Sequence, residues 1–478
     1  MKPLSVVVIS DPHYYSKRNW VGVDPYKFPP KREQQYRRGS EEIIKYVFDE
    51  LCKDGQPDIV LINGDLTNNG EITSHEEMRE LLRSLKKRGK RVYVTTATHD
   101  YRNNGKSYGF DVNNNQIDVP AFKRENLYEY YYEFGLNEAL SIHLPSMCYT
   151  VQLADGYRLL ALNDDHGKSH AGFTDDCFEW IEEQVELAHR EGQYVVAMTH
   201  HPVLTPSPLY KLIAPNDMLE DGYKVASALA DMGIHCIFTG HSHIHNISYL
   251  TTKKGNIFYD VSTSALVGFP PYFRYAVFKP DDSEIEVTST LIDNVPSLDT
   301  GGNTLSKYIE KLFLGTVEDI LTYAQTDYEK FTQLAIGFSL QKEKAYKLKP
   351  IIQPIAKYLN NLTFGRVWKI TKKQSNVSKD EIARVKNEPV VPYVIECVAN
   401  LYKGDACMDK NDELDENSKI KFNVKFRVAV GLLVKLDKLL KPFSNMLKNH
   451  GIESIYSVAM PLLKSQKDIS DVNTVLKY

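Results

Sequence analysis

Apolar and polar positions along this chain fall into two regimes. Through roughly the first 290 residues, short apolar runs alternate with stretches whose apolar residues recur three and four apart, the pattern of strands separated by helices. The run Leu4-Ser5-Val6-Val7-Val8-Ile9 is largely β-branched, as in a strand buried on both faces. A helix follows over about Ser40 to Cys52, with Ile43, Ile44, Val47, Phe48 and Leu51 along one side and Ser40 placed as its N-cap. Strand 58–62, a helix near 74–88 and strand 91–95 repeat the pattern. Residues 101–120 are rich in Asn and Gly and read as a long loop, with a helix around 122–135 after it. Residues 147–153 and 157–162 flank Asp155-Gly156 as a hairpin. Helix 175–191, strand 194–198, helix 224–232 and strand 234–238 come next, and strands 257–261, 273–278 and 284–290 complete the β-rich part. Helices between strands imply an α/β layered fold, and the hairpins make the sheet mixed. The expected architecture is a mixed β-sheet sandwich flanked by helices.

Past residue 297 helical periodicity takes over, with segments near 304–324, 328–344, 350–360, 392–402, 420–440 and 455–463. A length of 478 residues is more than one ordinary domain needs. The expected division is therefore a layered domain over 1–297 and a second, all-helical C-terminal domain over 298–478.

Composition narrows the function by exclusion. A net charge of −4 gives no general attraction to polyanions, so no nucleic-acid polymer is expected as partner. The basic face of 420–440 (Lys421, Lys425, Arg427, Lys435, Lys438) reads as a solvated helix surface. Six cysteines are scattered without a Cys-x-x-Cys pair, which points to neither a disulfide framework nor a zinc ribbon. The apolar run Val428 to Val434 falls far short of the ~20 residues that span a bilayer, so no transmembrane segment is expected. Met1-Lys2-Pro3 leads straight into the first strand, which reads as cytoplasmic; an exported or membrane-anchored protein whose leader had been removed would read the same. Nothing in the pattern speaks to oligomeric state.

The chemistry gathers where strands end. Thr239-Gly240-His241-Ser242-His243-Ile244-His245 leaves the strand 234–238. In an extended loop residues two apart face the same way, so His241 and His243 can converge while Gly240 permits close backbone approach. Convergent imidazoles are a common way to hold a transition metal. Asp11 and His13 follow the first strand, Asp65 the second, Thr98, His99 and Asp100 the third, and His200 and His201 the strand 194–198. Ligands of open α/β sheets bind outside the carboxyl ends of the strands. Five strands ending in residues of metal-ligand type are poorly explained by ordinary loop chemistry.

Taken in order, Asp11-x-His13, Gly64-Asp65, Ala97-Thr98-His99-Asp100, His200 and Gly240-His241-x-His243 resemble the motif blocks of the calcineurin-like metallophosphoesterase superfamily over about residues 4 to 290. The helical C-terminal region lies outside those blocks, though some bacterial cyclic-nucleotide phosphodiesterases similar to this chain carry one. The resemblance implies two divalent or trivalent transition metal ions (Mn, Fe or Zn): Asp11, His13 and His243 on one, His200 and His241 on the other, Asp65 bridging. It places His99 beside the leaving group. It implies a phosphodiesterase acting on a small phosphate ester, with cyclic nucleotides among the candidates. A phosphomonoesterase or nucleotide pyrophosphatase on the same site is the alternative, and a catalytically weak binding scaffold is the alternative of another class.

Independently of the resemblance, a carboxylate bridges two cations readily and a neutral imidazole does not, which requires an acid at the shared position. The departure from the family's Gly-Asn-His block is Thr98, whose hydroxyl is a shorter and weaker donor than an Asn amide oxygen. A more weakly held second cation, completed by water, is the expectation. Tyr14, Thr98, His99, Asp100, Arg102, His166 and His201 flank the strand ends as candidate substrate contacts. His245 reads as a group orienting a ligand or as solvent-exposed, and His75, His143, His170, His189 and His235 as structural.

Overall fold

The computed structural model describes residues 1–21, 35–113, 115–165, 167, 170–207, 210, 216–336, 342–404, 415–440, 454, 456–457, 460 and 469–478. The chain divides into two compact units, one of residues 1–206, 216–312 and 469–478, the other of 207–215 and 313–468.

The first unit is built on two mixed sheets. One contains β1 (Leu4–Ile9), β2 (Ile59–Asn63), β3 (Arg91–Thr95), β13 (Tyr272–Lys279), β14 (Glu284–Leu291) and β15 (Asn473–Lys477), in the order β15-β14-β13-β1-β2-β3. The other contains β6 (Ser141–His143), β7 (Cys148–Ala154), β8 (Tyr157–Ala161), β9 (Tyr194–Met198), β10 (Cys236–Thr239), β11 (Asn246–Thr251) and β12 (Ile257–Ser262), in the order β11-β12-β10-β9-β8-β7-β6. In each sheet the parallel strands are consecutive, β1-β2-β3 and β12-β10-β9-β8, and antiparallel neighbours continue the sheet from them. Parallel strands need both faces covered. Val6, Val8 and Leu61 of the first sheet pack in one buried cluster with Val151, Leu159, Val196 and Phe238 of the second, so the main core lies between the sheets. On the second sheet's other face, Leu160, Val195 and Ile237 pack with Ile181 and Val185 of α4 (Asp175–Arg190) and Leu229 of α5 (Gly222–Asp231). Helices α1 (Ser40–Leu51), α2 (Ile72–Lys87) and α3 (Arg124–Tyr130) complete the unit's longer helices among the described residues. This α/β layering, with a largely helical C-terminal region, matches the expected fold class.

The second unit is helical: α6 (Leu305–Thr326), which crosses the boundary at residue 312, then α7 (Tyr328–Ile336), α8 (Lys342–Asn360), α9 (Phe364–Ser375), α10 (Lys379–Ala383), α11 (Val391–Lys403) and α12 (Glu416–Leu440). Phe364 and Val367 of α9 bury against Tyr393 and Cys397 of α11 and Val424 and Val428 of α12. Gly431 makes that approach possible, because a β-carbon there would stand 2.7 Å from the Ser375 backbone nitrogen.

Several expectations need correction. Ser40 is already helical and Gly39 precedes it as the N-cap; the Ser40 hydroxyl instead accepts from the Tyr15 N–H at 3.0 Å. Residues 101–120 are not a structureless loop, since β4 (Lys106–Phe110) and β5 (Gln116–Pro120) pair there as an antiparallel hairpin. The helix expected over 122–135 is the seven-residue α3. Strands β6, β11 and β15 and helices α9 and α10 come in addition to the expected elements. The break between units falls at 312 rather than 297, and residues 469–478 return to the first unit, where β15 pairs with β14. The helix expected at 455–463 lies largely outside the described residues. No helix among the described residues is long and apolar enough to cross a membrane.

Candidate metal centre

The loops leaving β1, β2, β3, β9 and β10 bring Asp11, His13, Asp65, His99, His200, His201, His241 and His243 together. Asp11 Oδ2 is occupied: it accepts from Ser10 Oγ and from the His241 N–H at 3.0 Å. Asp11 Oδ1 is free of hydrogen bonds and faces three imidazole nitrogens, His243 Nε2 at 3.3 Å, His13 Nε2 at 3.7 Å and His200 Nε2 at 3.9 Å. Asp65 divides its oxygens in the same way. Its Oδ1 accepts the His99 N–H at 2.9 Å, while Oδ2 lies 3.2 Å from His200 Nε2 and 3.8 Å from His13 Nε2. One carboxylate oxygen thus reaches toward both halves of the cluster.

The histidines are oriented from behind. His200 Nδ1 donates to the Asn63 carbonyl at 2.8 Å, which turns Nε2 toward the carboxylates. His99 Nδ1 meets the Asn68 carbonyl at 2.5 Å, and its ring stands edge-on to His13 with centroids 5.0 Å apart. His201 Nδ1 meets Asp164 Oδ1 at 2.8 Å. Asp164 was not singled out from the sequence. It is wholly buried, and its Oδ2 takes the Thr199 hydroxyl and the N–H groups of His200 and His201, fixing the loop after β9. The available signal was an acid at the end of β8, a strand that contributes none of the motif blocks.

Burial would raise Asp11 and Asp65, but the surrounding imidazoles, His200 foremost, outweigh it and hold both carboxyls below the ordinary range. Burial pushes His13 down to about 3, and Asp65 and Asp11 offset it only in part. His200 moves the other way, to about 10, because Asp65 and Asp11 together exceed the desolvation cost.

Among the described residues, three donor groups have ligand atoms within 4.8 Å of one another: Asp11, His13 and His243; Asp11, Asp65 and His200; and His200, His201 and His241. Buried atoms with no hydrogen-bond partner in the same place, Asp11 Oδ1 and His200 Nε2, are what a bound cation would satisfy. Mixed imidazole and carboxylate donors suit Mn, Fe or Zn, so the residues present fit the implied ions.

Backbone strain is concentrated here. Nine non-glycine residues among those described have positive φ, and five are Asp11 (49°), His13 (43°), Asp65 (50°), His241 (58°) and His243 (56°). Such conformations cost about 1–3 kcal/mol each and persist where the surroundings enforce them. The two motif glycines are required by contact. A β-carbon on Gly240 would fall 1.7 Å from Ser10 Oγ, and one on Gly64, whose φ is +97°, would fall 2.5 Å from His200 Nδ1.

Other expected site residues lie elsewhere or are otherwise engaged. Asp100 is not available to substrate: it is fully buried, Oδ1 accepts from the Thr67 N–H at 2.9 Å and Oδ2 from the Ala97 N–H at 2.9 Å, and burial pushes its carboxyl up to about 7. It holds the loop rather than a ligand. Thr98 opens the 3-10 turn Thr98–Asp100 and is half-buried; Arg102 donates to its carbonyl at 2.8 Å and also bonds the Asn69 side chain. Tyr14 is buried and donates to Glu77 at 2.8 Å. His245 neither orients a ligand nor meets solvent: it is buried, stacked on Tyr272 with centroids 4.3 Å apart, with Nε2 2.9 Å from Ser289 Oγ. His166 lies outside the described residues.

The calcineurin-like phosphoesterase family profile matches residues 4–245, just over half of the chain. No curated protein matches the chain. Similar solved structures include a dimetal phosphatase from Danio rerio, 13% identical, covering 60% of this chain and 95% of that one with a TM-score of 0.42. The purple acid phosphatase PPD1 from yellow lupin (Lupinus luteus) is 17% identical over 61% of this chain and 52% of its own, with a TM-score of 0.38. NAD nucleotidase from Haemophilus influenzae is 12% identical over 76% and 62%, with a TM-score of 0.34. Members of the family use dinuclear metal centres to hydrolyse phosphoesters, and with the profile spanning every motif block from Asp11 to His243, the chain belongs to the calcineurin-like phosphoesterase family.

Proposed function

We propose that the chain is a two-metal phosphodiesterase, with cyclic nucleotides among its candidate substrates. Asp11, His13 and His243 would hold one cation and His200 and His241 the other, with Asp65 shared between them and Thr98 at the second. When bound, the two ions supply charge neutralisation at the phosphoryl group and a nucleophile at neutral pH. The observation that carries this reading is Asp65 Oδ2, aimed between His13 Nε2 and His200 Nε2 while its partner oxygen is tied down by His99 N–H.

The chain's own contribution to chemistry centres on His99. With Nδ1 engaged by the Asn68 carbonyl, the ring presents Nε2 as the atom that carries a second proton, and in the imidazolium form Nε2–H donates to the departing alkoxide oxygen. The buried walls around Asp11 and Asp65 exclude water from the acids, so the charges of the site act at full strength on the phosphoryl oxygens. Retention of every expected ligand but the family's Asn supports an enzyme over a binding scaffold.

The diester preference rests on the likeness of the sequence to phosphodiesterases with a helical C-terminal domain, and it is tested separately from hydrolase activity. Protein loaded with Mn²⁺, Fe²⁺ or Zn²⁺ is incubated with bis-p-nitrophenyl phosphate and with p-nitrophenyl phosphate. Faster release from the diester is expected. Hydrolysis of the monoester alone overturns the preference, and inactivity toward both with all three metals overturns the hydrolase reading.

A further inference from the structure

We infer that His201, whose ring joins those of His200 and His241, is a ligand of the second cation and takes the place of the asparagine side chain that Thr98 lacks. This rests on the two-metal reading above and departs from the sequence-based expectation of His201 as a substrate contact.

The loop after β3 is poorly equipped to serve that cation. The Thr98 hydroxyl sits on the β-carbon, one bond nearer the backbone than an asparagine amide oxygen, and is the weaker donor. Its carbonyl is already bonded to Arg102 at 2.8 Å. The loop after β9 is overequipped. It delivers two consecutive histidines, and the ligand nitrogens of His200, His201 and His241 lie within 4.8 Å of one another, the only all-imidazole group of this kind among the described residues. The His201 and His241 ring centroids are 4.0 Å apart, and those of His200 and His201 are 5.0 Å apart and nearly perpendicular. The His200 ring stands edge-on to both His201 and His241, whose own rings are tilted by 38° to each other, so one nitrogen from each can face a shared ion; a substrate contact has no need of a second imidazole at that distance.

The support behind His201 argues the same way. An ionised carboxylate can only accept, so Asp164 Oδ1 at 2.8 Å sets Nδ1 as the donor and leaves Nε2 with the lone pair. Asp164 also bonds the backbone N–H groups of both histidines, which fixes the loop as a unit. A buried carboxylate locking the tautomer and plane of an imidazole is the outer arrangement that metal-bound histidines use, and its loss costs about 10–100-fold in metal affinity. His200 receives the equivalent support from the Asn63 carbonyl. The two histidines are prepared alike, by different acceptors, for the same job.

The test uses Co²⁺ alone as probe. Full-length protein stripped of metal is titrated with Co²⁺, followed by visible d–d absorption and by metal analysis after desalting, for wild type and for His201→Ala, Asp164→Asn and the double variant His201→Ala with Thr98→Asn. Wild type is expected to take up two ions. His201→Ala should keep one and weaken the other by at least about 10-fold, with a changed d–d spectrum; Asp164→Asn should weaken the same step by about 10–100-fold. The double variant should recover part of the lost affinity by restoring the amide oxygen, which also answers the objection that the single variant is misfolded. Two ions held by His201→Ala with unchanged affinity and spectrum overturn the inference while leaving the two-metal reading intact. No uptake by wild type overturns that reading itself.

Discussion

Two sets of buried histidines lie in the first unit, and they are built on opposite principles. Around the strand ends, Asp11 Oδ1, His13 Nδ1, His200 Nε2 and His243 Nδ1 are buried without a hydrogen-bond partner, on backbone that is left-handed at Asp11, His13 and His243. Behind the third loop, His75 has both nitrogens engaged, Nδ1 with Tyr131 OH at 2.7 Å and Nε2 with the Asp100 carbonyl at 2.8 Å, and its ring stacks on Phe122. One region leaves imidazole and carboxylate atoms bare and strains its backbone; the other gives both nitrogens of its imidazole a partner. Burial of a histidine therefore says little, and the state of its second nitrogen says a great deal.

The sharpest way to break this contrast is Asp65→Asn. Loss of the shared charge should lower kcat/KM on the diester by about 10³-fold or more and remove paired uptake of Co²⁺ in the titration above; unchanged turnover and uptake would show that Asp65 is shared by no pair of ions. His99→Ala comes next, with a loss of about 10²–10³-fold in kcat and little change in KM or in Co²⁺ uptake. Gly240→Ala should cost about 1–3 kcal/mol in urea unfolding and reduce metal uptake as well, since Ser10 and Asp11 must move for the new methyl group.

The smallest effect probes the satisfied region by pH. Burial pushes His75 from its ordinary 6.5 down to about 3. As pH falls below 6.5 the unfolded chain takes up a proton that the folded one refuses, so this group's contribution is complete above 6.5 and is lost between 6.5 and 3, at about 1.4 kcal/mol per pH unit. Asp100, raised to about 7, acts with the opposite sign between 3.8 and 7. The measurement is therefore the difference in unfolding free energy between wild type and His75→Phe across pH 4 to 7, in which Asp100 is common to both. The difference should shift against wild type as acid is added, and a flat difference would show that His75 carries a proton in the fold.

How much was legible follows the same line between pattern and geometry. Long β-branched runs marked β1, β2, β3 and β9 because strands covered on both faces admit little else. The ligand residues were legible because each follows such a run. The hairpin β4–β5 was not, since Asp111-Val112-Asn113-Asn114-Asn115 between its arms reads as loop and alternation over five residues is weak. β15 buries only Leu476 of its five residues, too faint a period to outweigh the helical texture before it. Asp164 was hidden because its role depends on which loop the fold sets beside it. The left-handed ligands were hidden for a similar reason: aspartate and histidine tolerate positive φ, but only the assembled site compels it.

The return of the chain to its first sheet has a consequence for synthesis. The open edge of β14 must wait for residues 473–477, which leave the ribosome some 180 residues later. Until then a nascent chain carries an unpaired strand edge, the kind of template on which other chains add. Clipping or masking the last ten residues should therefore show first as inclusion-body formation during expression, before any deficit in turnover is measured.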